Sequence, residues 1–493
     1  MIAITVEQLC LATNGVLKKG FQTLNNCANT VIENVSTDTR TIQPSDLFIA
    51  LKGPSFDAHQ LLQSAIDKGA SVVLVEASSE ISLPADSIVV EVEDTRIALG
   101  LLGSYVKQQV TGLKCAAITG SNGKTTCKEL LTAILTAYCG DADTVLSTAG
   151  NFNNDIGLPL TLLRLQKQHA FAVVELGANH IGEIAYTSTL AKPNVALVNN
   201  VMPAHLEGFG SLEGVAKAKS EIWDSLDKSG IAVVNLDANF AQDFITKLSN
   251  KKQPFITFSQ IDSTINNAPQ VDCFATEIVN NPLGQASFKL TIKKGLLAAT
   301  DQSTQIQLNI PGQHNVSNAL AASSMAFALG CSLNDIKQGL ETLQQVAGRV
   351  NSTVISDTLT VIDDTYNANS ASVRAGIDLL SQYAHSTRVL VCGDMGELGE
   401  YAKQEHKTIG AYAKDKEIDK LFTVGSLSQL ATHEYNAASK NADAEHFSEK
   451  GQLEVAIDAF LRTQKNNVVV LVKGSRSAKM EDIVTFIKQK YSV

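Results

Sequence analysis

Short apolar runs that end in loops recur along most of this chain. From Leu113 onward they alternate with helical stretches, and the first of them are LKCAAIT, FAVVELG, NVALVNNV and IAVVNLD. This alternation is typical of a mostly parallel sheet that is covered by helices. The pattern therefore predicts a central α/β domain, to which we assign residues 94–330.

The period of the apolar positions changes to two between about residues 270 and 310. The alternating residues are Phe288, Leu290, Ile292, Ile306, Leu308 and Ile310. This period predicts an antiparallel meander appended to the parallel sheet. After the helical stretch NVSNALAASSMAFALG, strand-like runs return at LTVIDDTY, TRVLVCGD, KLFTVG and NNVVVLVKGS. They predict a second, Rossmann-like doubly wound domain over residues 331–493.

The first part of the chain mixes short strands and helices. LVEASS and SIVVEVED have the composition of short strands, and TRIALGLLGSYVKQQ has helical spacing. We therefore expect a small N-terminal α/β domain over residues 1–93. Three domains also suit a chain of 493 residues, since one domain commonly has about 150.

Composition points to a cytoplasmic protein. Apolar residues make up 44% of the chain, but no window approaches the roughly 18 uncharged apolar residues of a membrane span. Glu7 and Gln8 interrupt the apolar start, so an export signal is not expected. The eight cysteines form no CxxC pair, which favours reduced thiols.

The net charge of −10 argues against a nucleic-acid partner, because no basic run could neutralise a phosphate backbone. Any phosphate must therefore be bound locally. The stretch AAITGSNGKTTCKELLTAILTAY offers such a site. It places a glycine-rich turn between an apolar strand and a helix whose apolar residues are Cys127, Leu130, Leu131, Ile134, Leu135 and Tyr138.

This turn has the context of a phosphate-binding loop. Backbone N–H groups around Gly120 and Gly123 can surround an anion at a helix N-terminus, Lys124 can reach the β- and γ-phosphates, and Thr125 can ligate Mg²⁺. Ile118 stands where the commonest form of the motif has glycine. The alternative is a chance Gly-Lys-Thr turn, which the flanking strand and helix make less favourable.

A phosphate loop fixes a class of cofactor but not a reaction. Further along the chain, Glu175, His205 and Lys219 follow or adjoin predicted strand ends. Carboxylate and imidazole at the carboxyl ends of neighbouring parallel strands would converge on the same crevice as the loop. Taken singly, His205 would be a core or loop histidine, and Glu175 a solvated strand end.

Together these stretches resemble the Mur ligase family. The matching motifs, in chain order, are TGSNGKTT, NNDIGLP, ELGANHIGEI, HLEGFGSLEGVAKAKSEI, GQHNVSNALAA, DDTYNANSASV and GDMGELGE. The forms NNDIGLP, ELGANHIGEI and DTYNANSAS are most similar to the members of the family that add D-alanyl-D-alanine.

The resemblance implies an ATP-dependent ligase of peptidoglycan precursor synthesis. Such an enzyme joins D-alanyl-D-alanine to the terminal carboxylate of UDP-N-acetylmuramoyl-tripeptide through an acyl phosphate, giving the pentapeptide, ADP and phosphate. It would use ATP, two Mg²⁺ ions and a carbamate formed on Lys219 from CO₂, with Lys217 as the neighbouring alternative. We also expect a monomer whose three domains close around the substrates.

The resemblance also assigns roles to residues of this sequence. The catalytic residues are Lys124, Glu175, His205, Lys219 and Arg349. The Mg²⁺ ligands are Thr125, Glu175, His205 and carbamylated Lys219. The nucleotide site contains Gly120, Ser121, Asn122, Gly123, Lys124, Thr125, Thr126, Asn315, Asn318, Arg349 and Asp364. The substrate sites contain Ser36, Asp38, Thr39, Arg40, Gly53 and His59 for the UDP-sugar, and Tyr366, Asn367 and Asn369 on the C-terminal domain.

Alternatives remain for several of these residues and for the function. Arg349 could form a surface salt bridge, Asn315 and Asn318 could be ordinary helix-capping residues, and residues 36–40 could be a plain turn. A sister ligase that adds a single amino acid would share most of the motifs. A nucleotide-dependent switch would need the phosphate loop but no cluster of Glu175, His205 and Lys219.

Overall fold

Three β-sheets of five or more strands organise the computed structural model of this protein. The structure describes residues 1–18, 27–77, 88–203, 206–260, 271–281, 283–296, 298–344, 348–438 and 443–492. Helices cover the sheets, which confirms the expected α/β class. Among the helices in these ranges, none is long and apolar enough to cross a membrane.

The first sheet has five strands in the order β2-β7-β6-β5-β4, and only the edge strand β2 is antiparallel to its neighbour. A separate antiparallel pair joins β1 to β3. The elements are β1 (Ile4–Thr5), α1 (Val6–Thr13), β2 (Val16–Leu17), β3 (Val31–Ile32), β4 (Val35–Ser36), β5 (Leu47–Ile49), α2 (Leu62–Asp67), β6 (Val72–Glu76) and β7 (Ile88–Val92). Both faces of the sheet are apolar, as expected where helices cover parallel strands.

Helix α3 (Thr95–Gln108) joins this sheet to the next one. Its N-cap is Asp94, whose carboxylate accepts hydrogen bonds from the backbone N–H groups of Arg96 and Ile97 at 2.7 and 2.9 Å. A Cβ atom on Gly103 would lie 3.0 Å from Cα of Pro159, so the glycine permits close packing between α3 and the central domain. The buried apolar side chains of α3 belong to one cluster that includes residues of both the first and the central sheet.

The central sheet has nine strands in the order β16-β15-β14-β13-β12-β11-β8-β10-β9. Strands β8 to β14 are parallel and β14 to β16 form an antiparallel meander, which confirms both predictions. The strands are β8 (Lys114–Thr119), β9 (Val145–Ser147), β10 (Phe171–Glu175), β11 (Val195–Val198), β12 (Ile231–Asn235), β13 (Phe255–Ser259), β14 (Cys273–Asn280), β15 (Gln285–Ile292) and β16 (Gln302–Pro311).

Helices pack on both faces of this sheet. They are α4 (Lys124–Cys139), α5 (Gly157–Leu163), α6 (Glu183–Ala191), α7 (Leu206–Phe209), α8 (Leu212–Ser220), α9 (Ala241–Asn250), α10 (His314–Leu329) and α11 (Leu333–Thr342). Helix α11 follows the predicted boundary at residue 330, yet it packs on α4 and β16 of the central domain. The apolar stripe of α4 is buried except at its last predicted member, Tyr138, which is 45% exposed with its ring edge against Phe171.

The third sheet has six strands in the order β17-β18-β22-β19-β20-β21, of which only β17 is antiparallel to its neighbour. Apolar clusters line its two faces, as expected for a doubly wound domain. The elements are β17 (Asn351–Ser356), β18 (Leu359–Asp364), α12 (Ser370–Ser381), β19 (Thr387–Gly393), α13 (Ala402–Asp415), β20 (Lys420–Val424), α14 (Gln429–Ala437), β21 (Ala444–Phe447), α15 (Lys450–Thr463), β22 (Val468–Lys473) and α16 (Glu481–Tyr491).

Candidate active site

The loop between β8 and α4 lies at the carboxyl edge of the central sheet. Strand β8 pairs with β10 on one side and with β11 on the other. The loop therefore lies where the strand order reverses, with β9 and β10 on one side of β8 and β11 to β13 on the other. This switch point is where open parallel sheets bind ligands. Gly123 has φ +77°, and a Cβ atom there would lie 2.6 Å from Nδ2 of Asn199. Only glycine fits this turn without displacing its neighbours.

Two side chains of the loop are already placed for phosphate chemistry. Nζ of Lys124 donates to the carbonyl of Gly120 at 2.8 Å, and the ammonium thus lies across the mouth of the loop. Burial lowers the pKa of Lys124 below its usual 10.5, partly opposed by the nearby carboxylate of Glu175. The hydroxyl of Thr125 donates to Oε2 of Glu175 at 3.3 Å.

Glu175 ends strand β10 and is 1% exposed. Its backbone N–H donates to Oγ1 of Thr148 at 3.0 Å, which fixes the main chain. Oε1 of the carboxylate has no hydrogen-bond partner within the described residues. A buried carboxylate oxygen without a donor is an expensive arrangement for the protein alone. This oxygen is therefore well suited to interact with a cation.

Lys219, near the end of α8, is 3% exposed and lines the same cleft. Burial, followed by the positive charge of Lys124, lowers the pKa of Lys219 well below 10.5. No carboxylate of the described part of the chain forms an ion pair with it. His205, the remaining member of the predicted cluster, lies outside the described residues. Elsewhere in those residues, no group of three His, Cys, Asp or Glu side chains is arranged to hold a metal ion.

Asn315 and Asn318 lie in the first turns of α10 and are both buried. Nδ2 of Asn318 donates to Oδ1 of Asn315 at 2.9 Å, and Oδ1 of Asn318 accepts from Nδ2 of Asn199 at 3.1 Å. Nδ2 of Asn199 also donates to the carbonyl of Asn122 in the phosphate loop at 3.0 Å. The two predicted asparagines therefore brace the loop through Asn199 while lining the cleft.

The C-terminal domain brings its own residues to the phosphate loop. Nη2 of Arg349 donates to the hydroxyl of Thr125 at 3.0 Å, and the guanidinium lies 4.4 Å from the ring centroid of Tyr366. Nδ2 of Asn369 donates to Oδ1 of Asn122 at 2.7 Å. The surface salt bridge considered for Arg349 is thus not what the structure shows.

Asp364 ends strand β18 beside this contact. Nζ of Lys473 donates to its Oδ2 at 2.5 Å and to the carbonyl of Asn367 at 3.1 Å. Lys473 is 2% exposed, so the pair is a buried one. It holds the segment from Asp364 to Asn369 at the edge of the C-terminal sheet.

These side chains enclose one cleft of about 1500 Å³ between the central and C-terminal domains. The predicted residues that line it are Ser121, Asn122, Gly123, Lys124, Thr125, Thr126, Glu175, Lys219, Asn315, Asn318, Arg349, Asp364, Tyr366, Asn367 and Asn369. Gly120 contributes through its carbonyl. The cleft is wide enough for a nucleotide and the reacting end of a second substrate.

The residues predicted for the UDP-sugar lie apart from this cleft, on the first sheet. Oγ of Ser36 donates to the carbonyl of Asp38, and Asp38 forms an exposed ion pair with Arg40 at 2.6 Å. Hydrogen bonds from the side chain and the backbone N–H of Arg40 lower the pKa of Asp38 to about 2. Thr39 is buried, and its carbonyl accepts from Lys68. These contacts make a rigid turn.

His59 is 4% exposed and both of its ring nitrogens have protein partners. Nδ1 lies 2.5 Å from Oδ1 of Asp57, and Nε2 accepts from the backbone N–H of Glu76 at 3.0 Å. The ring ties its loop to strand β6. The backbone N–H of Gly53 donates to the carbonyl of Phe56 at 2.8 Å, which closes the same loop.

Sequence reasoning missed several residues of the cleft. The backbone N–H of Asn122 donates to Oδ1 of Asn200 at 2.8 Å, and Asn235 donates to the carbonyl of Asn199 at 2.8 Å. Asp237 also lines the cleft. Asn199, Asn200 and Asn235 follow or end the apolar runs VALV and IAVV, so polar residues at strand ends were the available signal.

Comparison with known proteins gives matches along most of the chain. Residues 31–106 match the model described as Mur ligase family, catalytic domain; residues 118–326 match the Mur ligase middle domain; residues 348–476 match the Mur ligase, glutamate ligase domain.

Relatives that match nearly the whole chain are named for the same ligase activity. The chain is 41% identical to UDP-N-acetylmuramoyl-tripeptide–D-alanyl-D-alanine ligase of Escherichia coli, over 99% of both proteins. The ligase of the same name from Haemophilus influenzae is 40% identical over 94% of this chain and 95% of its own length. The one from Bacillus subtilis is 32% identical over 98% of both.

Solved structures agree with this picture. A crystal structure of MurF from Acinetobacter baumannii is 36% identical, covers 99% of both chains and superposes with a TM-score of 0.87. MurF from Thermotoga maritima in complex with ADP has a TM-score of 0.76 at 24% identity, covering 93% of this chain and 97% of its own, and so shows a shared fold.

Proposed function

The chain belongs to the Mur ligase family, and we propose that it joins D-alanyl-D-alanine to the C-terminal carboxylate of UDP-N-acetylmuramoyl-tripeptide while ATP is converted to ADP and phosphate. The product is UDP-N-acetylmuramoyl-pentapeptide, a precursor of peptidoglycan. The observation that carries the proposal is that relatives named for this reaction match the chain from end to end. The cleft that holds the phosphate loop supports it.

The proposed reaction has two steps. A carboxylate oxygen of the tripeptide attacks the γ-phosphorus of ATP, the bond from that phosphorus to the bridging oxygen breaks, and ADP leaves. The amine of D-alanyl-D-alanine then attacks the carbonyl carbon of the acyl phosphate, phosphate leaves, and the amine loses a proton. No described residue stands out as the base that accepts this proton.

Charge repulsion is the main obstacle to the first step. A carboxylate about 4 Å from a phosphate oxygen meets repulsion of about 4 kcal/mol per charge pair at an effective dielectric of 20. Lys124 and Arg349 supply two fixed positive charges at the loop. Because these charges are in place before the reaction, they stabilise the transferring phosphoryl group without any rearrangement of the protein.

The residues at the loop also fit Mg²⁺. The hydroxyl oxygen of Thr125 and Oε2 of Glu175 are hard oxygen ligands that lie 3.3 Å apart. Bound Mg²⁺ supplies Lewis-acid neutralisation of phosphate charge. We propose two ions, one at Thr125 and one at Glu175, His205 and carbamylated Lys219.

A carbamate on Lys219 is part of this proposal. An uncharged amine is the form that adds to CO₂, and the lowered pKa of Lys219 favours that form in the folded protein. Lys219 is also buried near Lys124 with no carboxylate partner in the described residues. Carbamylation would turn an unfavourable buried cation into an anion that can ligate a metal.

The remaining substrate contacts are proposed from the family pattern. Ser36, Asp38, Thr39, Arg40, Gly53 and His59 would bind the UDP-sugar on the first sheet. Tyr366, Asn367 and Asn369 would receive the dipeptide at the edge of the C-terminal sheet. We further propose that the protein is a cytoplasmic monomer.

The identity of the amine tests the proposal against a sister ligase. Purified protein is given Mg-ATP, UDP-N-acetylmuramoyl-tripeptide and either D-alanyl-D-alanine or single amino acids, and ADP release and product mass are followed. We expect a product heavier by the dipeptide, formed only with D-alanyl-D-alanine. Turnover with single amino acids would indicate the sister activity, and turnover independent of any amine would contradict ligation.

A further inference from the structure

Lys128 is a buried lysine beside the phosphate loop that the reaction described above does not use. Its side chain is 4% exposed, although a lysine on a helix usually extends its ammonium into water. It lies one turn after Lys124 on α4, and therefore on the same face of the helix. Burial of an ammonium is unfavourable unless oxygen atoms accept its hydrogen bonds and balance its charge.

Three oxygens surround this ammonium. Nζ donates to the carbonyl of Thr148 at 2.8 Å, lies 2.6 Å from Oε1 of Glu129, and lies 4.0 Å from Oε1 of Glu175. Thr148 also receives the backbone N–H of Glu175 on its hydroxyl. The segment at Thr148 thus fixes both the main chain of Glu175 and the cation that faces its side chain.

The two oxygens of the Glu175 carboxylate consequently have different neighbours. Oε2 faces the hydroxyl of Thr125, while Oε1 faces the ammonium of Lys128. Lys128 and Thr125 lie on the same helix, α4, so one helix supplies the neighbours of both carboxylate oxygens. A positive charge 4.0 Å from Oε1 attracts that oxygen without a hydrogen bond, and so favours one orientation of the carboxylate.

We propose that Lys128 is a positioning residue whose charge attracts Oε1 of Glu175 across 4.0 Å and thereby favours the orientation in which Oε2 faces Thr125 and is available to Mg²⁺ bound with the nucleotide. This inference rests on the proposed binding of Mg-ATP, but not on the identity of the amine or of the carboxylate substrate. It assigns to Lys128 no contact with the nucleotide itself.

The test compares nucleotide binding with and without metal. Calorimetry measures the affinity of a non-hydrolysable ATP analogue in Mg²⁺ and in EDTA, and the ratio of the two affinities is the metal gain. In Lys128→Met, a side chain of similar length without charge, we expect the metal gain to fall by about 10- to 100-fold, as for loss of a group that orients a metal ligand. The affinity in EDTA should stay close to that of the wild type.

Glu129→Gln is the matched control. It removes the negative charge of the partly exposed Glu129 but leaves the hydrogen bond from Lys128 to Thr148 and the contact between Lys128 and Glu175. We expect this variant to keep the metal gain of the wild type. A general weakening of α4 would lower the melting temperature of both variants without this difference in metal gain.

An unchanged metal gain in Lys128→Met would overturn the inference and leave Lys128 a purely structural lysine. Lys128→Gln gives the same readout if the methionine variant does not fold. A wild-type protein without any metal gain would overturn the Mg²⁺ site and this inference together. A wild type with a normal metal gain and no ligation would overturn only the proposed reaction.

Discussion

Lys217 and Lys219 lie two positions apart on α8 and have opposite surroundings. Lys217 is exposed, whereas Lys219 is 3% exposed and lines the cleft. The pair therefore gives a matched test of the proposed carbamate. We expect Lys219→Met to lower ligation by about 100-fold or more, because the anion proposed to ligate Mg²⁺ is lost. Lys217→Met should leave the rate of ADP release essentially unchanged.

The carbamate itself can be observed in the same two variants. With ¹³C-labelled bicarbonate, the wild type and Lys217→Met should each show one carbamate resonance that Lys219→Met lacks. Equal loss of activity in both variants, or a resonance that survives in Lys219→Met, would be inconsistent with the assignment.

Arg349 has a counterpart elsewhere in the C-terminal domain. Its guanidinium lies on the ring of Tyr366 and donates to Thr125, while Arg374 lies 5.1 Å from the ring centroid of Tyr412 and does not line the cleft. Lysine keeps the charge but not the planar donor pair. For Arg349→Lys we expect kcat/KM for ATP to fall about tenfold, the value of one hydrogen bond to a charged group.

Arg374→Lys is the control for stability, since it loses a similar ring contact. Its kinetics should match the wild type even if its melting temperature drops. If steady-state assays show equal kinetic losses in both variants, Arg349 has no special role at the loop.

At single residues, the sequence predicted the side chains proposed for chemistry better than the side chains that hold them in place. Lys124, Glu175 and Arg349 lie in one cleft as expected. Asn199 and Thr148 were missed because their contacts join segments far apart in the chain: Asn199 to residue 318, and Thr148 to residue 128. Such pairings depend on the order of strands in the sheet, which no local pattern encodes.

Among the elements, the loop before α14 shows how one carboxylate organises a sheet edge. Oδ1 of Asp394 accepts the backbone N–H groups of Leu427 and Ser428, and Oδ2 accepts that of Ser426. Burial alone would raise the pKa of Asp394, but these N–H donors outweigh it and lower the pKa below 3.8. The carboxylate thus closes the loop at the N-terminus of the helix.

Asp394→Asn should destabilise the C-terminal domain by about 1–2 kcal/mol, because a charged acceptor becomes a neutral one and the site is partly exposed. A carboxylate whose pKa is lowered by folding stabilises fully above its unfolded-state pKa, and this stabilisation is lost as the pH falls through the folded-state value. The difference in melting temperature from the wild type should therefore be constant above about pH 5 and shrink below pH 4. A difference that grows on acidification would contradict this role.

Element predictions succeeded where apolar runs were long. The runs at β8, β10, β11, β12 and β22 were all found, whereas β9, with three residues, and β21, with the sequence AEHF, were not. A three-residue strand has too few positions to show a period, and polar residues at the centre of β21 leave it without an apolar run. Strand β17 is antiparallel at an edge and has mainly polar, partly exposed residues, so it lacks the apolar run that marks its parallel neighbours.

On the scale of the whole molecule, Asn122 and Asn369 form a direct bridge between two domains. Asn369 also caps α12, where its Oδ1 accepts the backbone N–H of Ser372 at 2.9 Å. Aspartate would preserve the cap but lose the amide donor and bring a negative charge to the phosphate loop. We expect Asn369→Asp to enlarge the radius of gyration in small-angle scattering and to lower kcat/KM for ATP about tenfold.

Asn467→Asp adds the same charge at an exposed position of the same domain and should change neither quantity. Scattering should also show a more compact wild type with ATP analogue and UDP-tripeptide together. Identical profiles for Asn369→Asp and the wild type in every ligand state would argue against the bridge as a closing contact.

Helix α3 lies within one apolar cluster that spans the first and the central sheet. The ribosome releases the chain from its N-terminus, so residues 1–93 emerge before α3 and before the partners of α3 at Pro159 and Tyr186. The first sheet therefore cannot complete its core until the central strands have been made. The first and central sheets then form one cooperative folding unit and the third sheet forms another. Calorimetry of the intact protein should resolve two heat-absorption peaks rather than three.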